Sequence, residues 1–305
     1  MTTSVPMGSA VESTPVASTV QGRARPGRDR SWLGLLPFVV FTALLLVVPA
    51  FGVLLRAFRN NSGALTLENF RALTVRQYLV AFRTSISLSV LSAVVGVVGG
   101  GLLANAVLTL RRPRWLRDAV MTFSGLGSQF GGVPLAFIFI ATLGASGALT
   151  KALRSAGFEL YPGFRIYSFT GLVIVYAYFQ IPLMVIVIAP AIEGLRKSWR
   201  EAAESAGATS AQYWRFVGLP VLMPSILGAF VLLFANAFSA YATAAALTSG
   251  NVNLVPVRIG SFLRGNVSAD NAQLGQAMAA VMLVVVVVAM AAYLGLQRRA
   301  KRWGR

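Results

Sequence analysis

The sequence predicts an all-α, polytopic membrane protein with six transmembrane helices. Three observations predict it. The 305 residues are 56% hydrophobic and their mean hydropathy is +0.70. Only 12% are charged, about half of the roughly 25% usual in soluble domains. The charges also cluster between apolar runs of near ~20 residues, the length that crosses a hydrocarbon core as a helix.

Residues 1–31 are rich in Ser, Thr, Val, Pro and Ala and end in RARPGRDR. They hold few large apolar side chains, so a disordered cytoplasmic tail is expected. The apolar run that follows continues to Arg56 without a small-residue cleavage site, which reads as a retained span and not a signal peptide. The membrane domain is expected over 32–300, with the basic residues 301–305 forming a cytoplasmic end. Its spans fall at about 32–55, 84–110, 118–143, 169–192, 221–248 and 274–296. The third has a Gly-rich, polar first half. Gly96 and Gly100 are four apart, as are Gly127 and Gly131, a spacing that lets helix backbones approach in lipid. Pro134, Pro182 and Pro190 lie in or at the ends of spans, where each bends a helix or frees a carbonyl.

Orientation follows from the basic residues. The amino tail, 111–117, 193–217 and the carboxyl end carry 17 of the 27 Arg and Lys; 56–83, 146–167 and 250–273 carry the other 10. The excess marks the cytoplasmic side, so both termini and the 193–220 loop are expected in the cytoplasm. The formal net charge of +18 therefore belongs to membrane flanks and not to a nucleic-acid surface. Residues 56–83 have some amphipathic character and are expected at the outer interface.

Several chemistries are excluded or disfavoured. The chain has no Cys and no His, which removes the usual ligands of zinc and haem, thiol nucleophiles and His acid–base work. None of Lys151, Lys197 or Lys301 sits in a phosphate-binding loop motif. No span interior holds Asp, Glu, Lys or Arg, which argues against a secondary transporter coupled to ions. A stand-alone channel or secondary transporter stays as the alternative class, to be distinguished by transport without an ATPase. An enzyme is not expected.

Uncharged polar groups inside spans are the candidates for a solute path. Gln129 lies in the third span, Tyr176 and Gln180 in the fourth, and Asn236, Ser239 and Tyr241 in the fifth. In hydrocarbon each should face a watery cavity or bond a neighbouring helix, and the sequence leaves both open.

The longest polar connection is EAAESAGATSAQYWRFVGLP, residues 201–220. Ala202, Ala203 and Ala206 favour helix. Gly207 suits the left-handed position that ends one. Thr209 with Gln212 fits a capping box for a second short helix, and Pro220 is expected to mark the start of the next span. The spacing of Glu201, Ala202, Ala203 and Gly207, closed by Val217, Leu219 and Pro220, is more specific than a solvated loop requires. In these residues the chain resembles the membrane subunits of type I ABC importers, the binding-protein-dependent permeases of the MetI-like fold. The resemblance covers about 32–300.

That resemblance implies a non-catalytic permease subunit in the bacterial inner membrane. Glu201, Ala202, Ala203, Gly207, Leu219 and Pro220 would belong to a coupling loop, 193–220, that docks on a cytoplasmic ATPase, and the common core would be about 84–296. It also implies two ATPase subunits that hold ATP and Mg, a second permease subunit, an extracytoplasmic solute-binding protein and no cofactor on this chain. SQFGGVPLAFIFIATLGASG, YAYFQIPLM and FANAFSAYATAAALT are similar to the spermidine/putrescine branch, which implies a polyamine solute and a heterodimer of permeases. Aminoethylphosphonate, iron(III) and thiamine are the alternatives within that branch.

Overall fold

The computed structural model describes residues 31–60, 63–109, 114–161, 163–248, 250–264 and 272–303. Residues 1–30 of the disordered tail expected over 1–31, Arg111 and Arg112 of the basic turn, and residues 304–305 lie outside the described residues, while Ser31 opens α1. The chain forms two units, Met1–Pro49 and Ala50–Arg305. In the first, α1 (Ser31–Thr42) runs into a π-helical turn, Ala43–Val47. Helix α2 (Val48–Ala57) then leads into the second unit.

The second unit continues with α3 (Glu68–Ala72), α4 (Arg76–Thr109), α5 (Arg114–Gln129), α6 (Gly132–Leu143), α7 (Ala148–Ser155) and α8 (Phe169–Glu193). Next come α9 (Lys197–Ser205), α10 (Ser210–Tyr213), a second π-helical turn (Trp214–Gly218) and α11 (Leu219–Ser239). The chain closes with α12 (Ala242–Thr248), α13 (Val255–Leu263) and α14 (Ala272–Trp303). Six helical runs are long and apolar enough to cross a membrane: Gly34–Ala57, Arg76–Leu108, Gly132–Ser155, Phe169–Glu193, Ser210–Ser239 and Ala272–Arg298.

Three expected spans are corrected. The second begins at Arg76, eight residues earlier than 84, so Arg76 and Arg83 ride on a 34-residue helix and not on an interfacial loop. At 1.5 Å per residue that helix is about 51 Å long and extends well past the hydrocarbon core. The third expected span, 118–143, is two helices. They break at Phe130–Gly131, and Gly132 takes φ +75°, a conformation that side chains disfavour. The run that qualifies as a span is therefore shifted to 132–155, because α5 carries Arg117, Asp118, Ser124 and Gln129. The fifth, 221–248, also breaks, at Ala240 and Tyr241, between α11 and α12.

Both π-helical turns stop two residues before a proline, Pro49 and Pro220. Proline lacks an N–H and clashes with the carbonyl four residues back. The wider turn accommodates this: Val48 N–H donates to Ala43 O, and Leu219 N–H to Trp214 O.

Helix α8 is the centre of the second unit. More than half of its apolar window is buried (56%), against 17–33% for the other four spans of that unit. It packs against α4, α5 and α11, while α6 packs against α12 and α13 against α14. The α4–α8 contact is close because α4 is small there. A Cβ on Gly96 would lie 2.9 Å from Gln180 Cβ, and one on Gly100 2.5 Å from Ile181 O. The second expected pair is looser: a Gly127 Cβ would meet Pro182 Cγ at 3.4 Å, and Gly131 faces open space.

Candidate functional site

The 197–220 loop is built from short-range signals. Helix α9 ends in a pair of backbone bonds, Gly207 N–H to Glu204 O at 3.0 Å and Ala208 N–H to Ala203 O at 2.9 Å. Gly207 sits between them at φ +77°. This is the left-handed helix stop expected at that glycine. Two residues on, Thr209 Oγ1 accepts from Gln212 N–H at 3.3 Å, and Gln212 Oε1 accepts from Thr209 N–H at 2.7 Å. The expected capping box is complete.

Glu201, Ala202 and Gly207 are exposed and Ala203 is half-buried, so the α9 surface is open. The ion pairs of the described residues are Arg200–Glu204, at 2.9 Å, and Arg117–Glu193. Neither uses Glu201. The second joins the start of α5 to the end of α8, just before the loop. Leu219 and Pro220 are exposed at the start of α11.

One expectation about this loop is corrected. Pro220 does not separate the second short helix from the next span. The helical run is continuous over Ser210–Ser239, because the π-helical turn absorbs the proline. The distal half of the loop and α11 form one continuous helical run.

The polar candidates in the spans divide into two groups. Tyr176 and Gln180 are fully buried. The Tyr176 hydroxyl donates to Ala240 O at 3.0 Å, and Gln180 Nε2 donates to Leu233 O at 2.9 Å. Both therefore tie α8 to α11 or its end. Tyr176 also borders a cavity of about 10 Å³ with Ser85, Ser89 and Ala240, room for about one water. Gln129, Asn236 and Ser239 are exposed. Gln129 lines an apolar groove of about 380 Å³ with Phe123, Phe130 and Tyr178. Asn236 and Ser239 lie three apart on α11, and the Ser239 hydroxyl donates to Ala235 O at 2.9 Å. Tyr241 stands at the α11–α12 break, half-buried against α13.

Two sets of polar residues escaped the sequence reading. Ser85, Ser89 and Ser92 are buried along one face of α4, and Ser85 Oγ accepts from Val255 N–H at 2.9 Å. Their four- and three-residue spacing leads into Gly96 and Gly100, a helical stripe of small residues that was legible. The other set sits on α13 and just before it: Arg258 Nε donates to Asn253 Oδ1 at 2.8 Å, and Asn253 Nδ2 donates to Gln77 O at 2.8 Å. Nothing local in the sequence signals that pairing, which spans 176 residues.

A family model described as binding-protein-dependent transport system inner membrane component matches residues 96–302. The sulfate transport system permease protein of Salmonella typhimurium is 24% identical over 216 residues, covering 70% of this chain and 73% of that protein. A spermidine/putrescine transport system permease homologue of Mycoplasma genitalium is 31% identical over 87 residues, covering 28% and 30%. A bacterial alginate ABC transporter, solved with a periplasmic protein bound to an alginate pentasaccharide, has a chain of similar fold. Its TM-score is 0.71 at 20% identity, with 88% of this chain and 94% of that chain covered.

Proposed function

This chain belongs to the family of binding-protein-dependent transport system inner membrane components, and from that membership we propose that it is the permease subunit of an ATP-driven importer for a small oxyanion. As a member of that family it is a transport subunit, and ATP hydrolysis falls to a separate ATPase. The observation that carries the mechanism is the exposed turn at Gly207 joined to α11 through one continuous helix. Two ATPase subunits holding ATP and Mg bind from the cytoplasm, and one of them receives the 193–220 loop, with Glu201 as a polar contact and Ala202 and Ala203 allowing close approach. When ATP draws them together, the loop moves and α11 moves with it. An extracytoplasmic binding protein delivers solute to the opposite face. A second permease, a different chain, completes the path in the inner membrane. ATP and the loaded binding protein each shift the equilibrium by preferring the outward-open state.

The solute reading moves away from a polyamine for two reasons. The spermidine/putrescine relative aligns with 87 residues, whereas the sulfate relative aligns with 216. The outer segments 56–83, 146–167 and 250–273 carry ten Arg and Lys but only Glu68, Glu159 and Asp270 as acids. Such a mouth concentrates anions and repels polycations.

The test is to purify the complex with its ATPase, second permease and binding protein, and to identify the retained solute by mass spectrometry. An oxyanion is expected, with ATP-dependent uptake in proteoliposomes. A retained polyamine returns the solute to the spermidine/putrescine type. Uptake by this chain alone, without ATP, identifies a channel or secondary transporter instead.

A further inference from the structure

Tyr241 occupies the gap between α11 and α12, where the backbone leaves the helix at Ala240 (φ −68°, ψ 98°). Its ring is covered by α13. Gly260 makes that possible, because a Cβ there would stand 2.6 Å from the ring Cε2 and 2.9 Å from the hydroxyl oxygen. One turn on, at the end of α13, the Arg264 guanidinium lies 5.3 Å from the centroid of the same ring, within cation–π range. Its Nη2 donates to the Tyr241 hydroxyl. The phenol fixes the guanidinium without neutralising it, and uses one of its five N–H donors.

The second guanidinium of α13 is held the same way. Arg258 is oriented by the Asn253 amide, which is anchored on the Gln77 carbonyl. Among the described residues, the two ion pairs lie elsewhere, at Arg117–Glu193 and Arg200–Glu204. The helix beside the α11–α12 break thus presents two charged, oriented groups with neutral partners. An arrangement of this kind stabilises an arriving anion, since among the described residues no carboxylate pairs with either guanidinium.

We propose that Arg264, oriented by Tyr241, is a specificity-determining residue that selects an anionic solute at the α11–α12 break. The inference rests on the importer reading and goes beyond it in assigning selectivity to one side chain. The test uses the full complex with its own ATPase, second permease and binding protein in proteoliposomes. It follows uptake of radiolabelled sulfate, molybdate and spermidine, together with ATP hydrolysis stimulated by the binding protein. Wild type is expected to accumulate sulfate or molybdate over spermidine. Arg264→Gln should lower that uptake by about tenfold or more, the scale of one lost charged hydrogen bond. Arg264→Lys should recover most of it, and Tyr241→Phe should fall between, since the ring still holds the cation.

Oxyanion uptake unchanged in Arg264→Gln overturns the assignment. So does a fall in Arg264→Lys as deep as in Arg264→Gln, which marks a packing role. Wild-type uptake of spermidine in place of oxyanions, or none of the three taken up despite stimulated hydrolysis, also overturns it and leaves the importer reading standing. Wild type without stimulated hydrolysis defeats both.

Discussion

The backbone N–H of Gly132 donates to Thr243 Oγ1 at 2.8 Å, across 111 residues of chain. It joins the first residue of α6 to the first turn of α12, the two half-helices that follow the breaks. An opening N–H of a half-helix is thereby satisfied by a side chain from the other half-helix. Thr243→Val keeps the shape and removes the acceptor. It is expected to cost about 1–2 kcal/mol, read as a lower thermal midpoint in detergent, while Thr243→Ser stays near wild type. Equal midpoints for Val and Ser would remove the bond from the account of the breaks.

The α4–α8 contact predicts opposite outcomes at neighbouring glycines. A Cβ on Gly100 meets the Ile181 carbonyl oxygen and Met184 Cβ at 2.5 Å, neither of which can rotate away. Gly100→Val should cost at least about 1–3 kcal/mol through overpacking. A Cβ on Gly101 meets only the Met184 methyl, at 3.9 Å, so Gly101→Ala should hold or raise the midpoint. Size-exclusion profiles and thermal melts of the two variants check this contrast.

Gly207 separates conformation from coupling. Its φ of +77° is strained for most side chains, yet no atom lies within 4 Å of a built Cβ. Gly207→Asn, which tolerates that region, should insert and transport. Gly207→Asp adds a charge to the proposed docking surface and should abolish transport while inserting normally. Glu201→Arg should do the same. ATP-driven uptake, with membrane insertion as control, is the measurement; normal uptake by both charged variants would sink the coupling role.

Gln180 is fully buried, with Nε2 bonded to Leu233 O and no partner for Oε1 among the described residues. Replacing this half-satisfied amide by an apolar group of similar volume is expected to be nearly neutral for stability, within about 1 kcal/mol. Gln180→Met tests this by thermal melt. If the variant is stable and still transports, Gln180 is a packing residue; if it is stable and inactive, its amide serves the solute path.

What the sequence by itself determined was local or compositional. Apolar run length specified the membrane class and the number of spans. The Gly207 stop and the Thr209–Gln212 box are formed by groups within five residues of one another, so their chemistry could be read directly. The spacing of Gly96 and Gly100 announced the tight α4–α8 contact for the same reason. Tertiary structure decided the rest. The breaks at Phe130–Gly131 and at Ala240–Tyr241 face each other through Gly132 and Thr243, and Ser85 finds the Val255 amide across 170 residues. It also decided that Tyr176 and Gln180 are buried while Asn236 and Ser239 are exposed. The physical reason is the solvent. A span apolar on every side, such as α8, carries no polar face to mark its orientation, so only the shapes of its neighbours select which polar groups meet a partner helix.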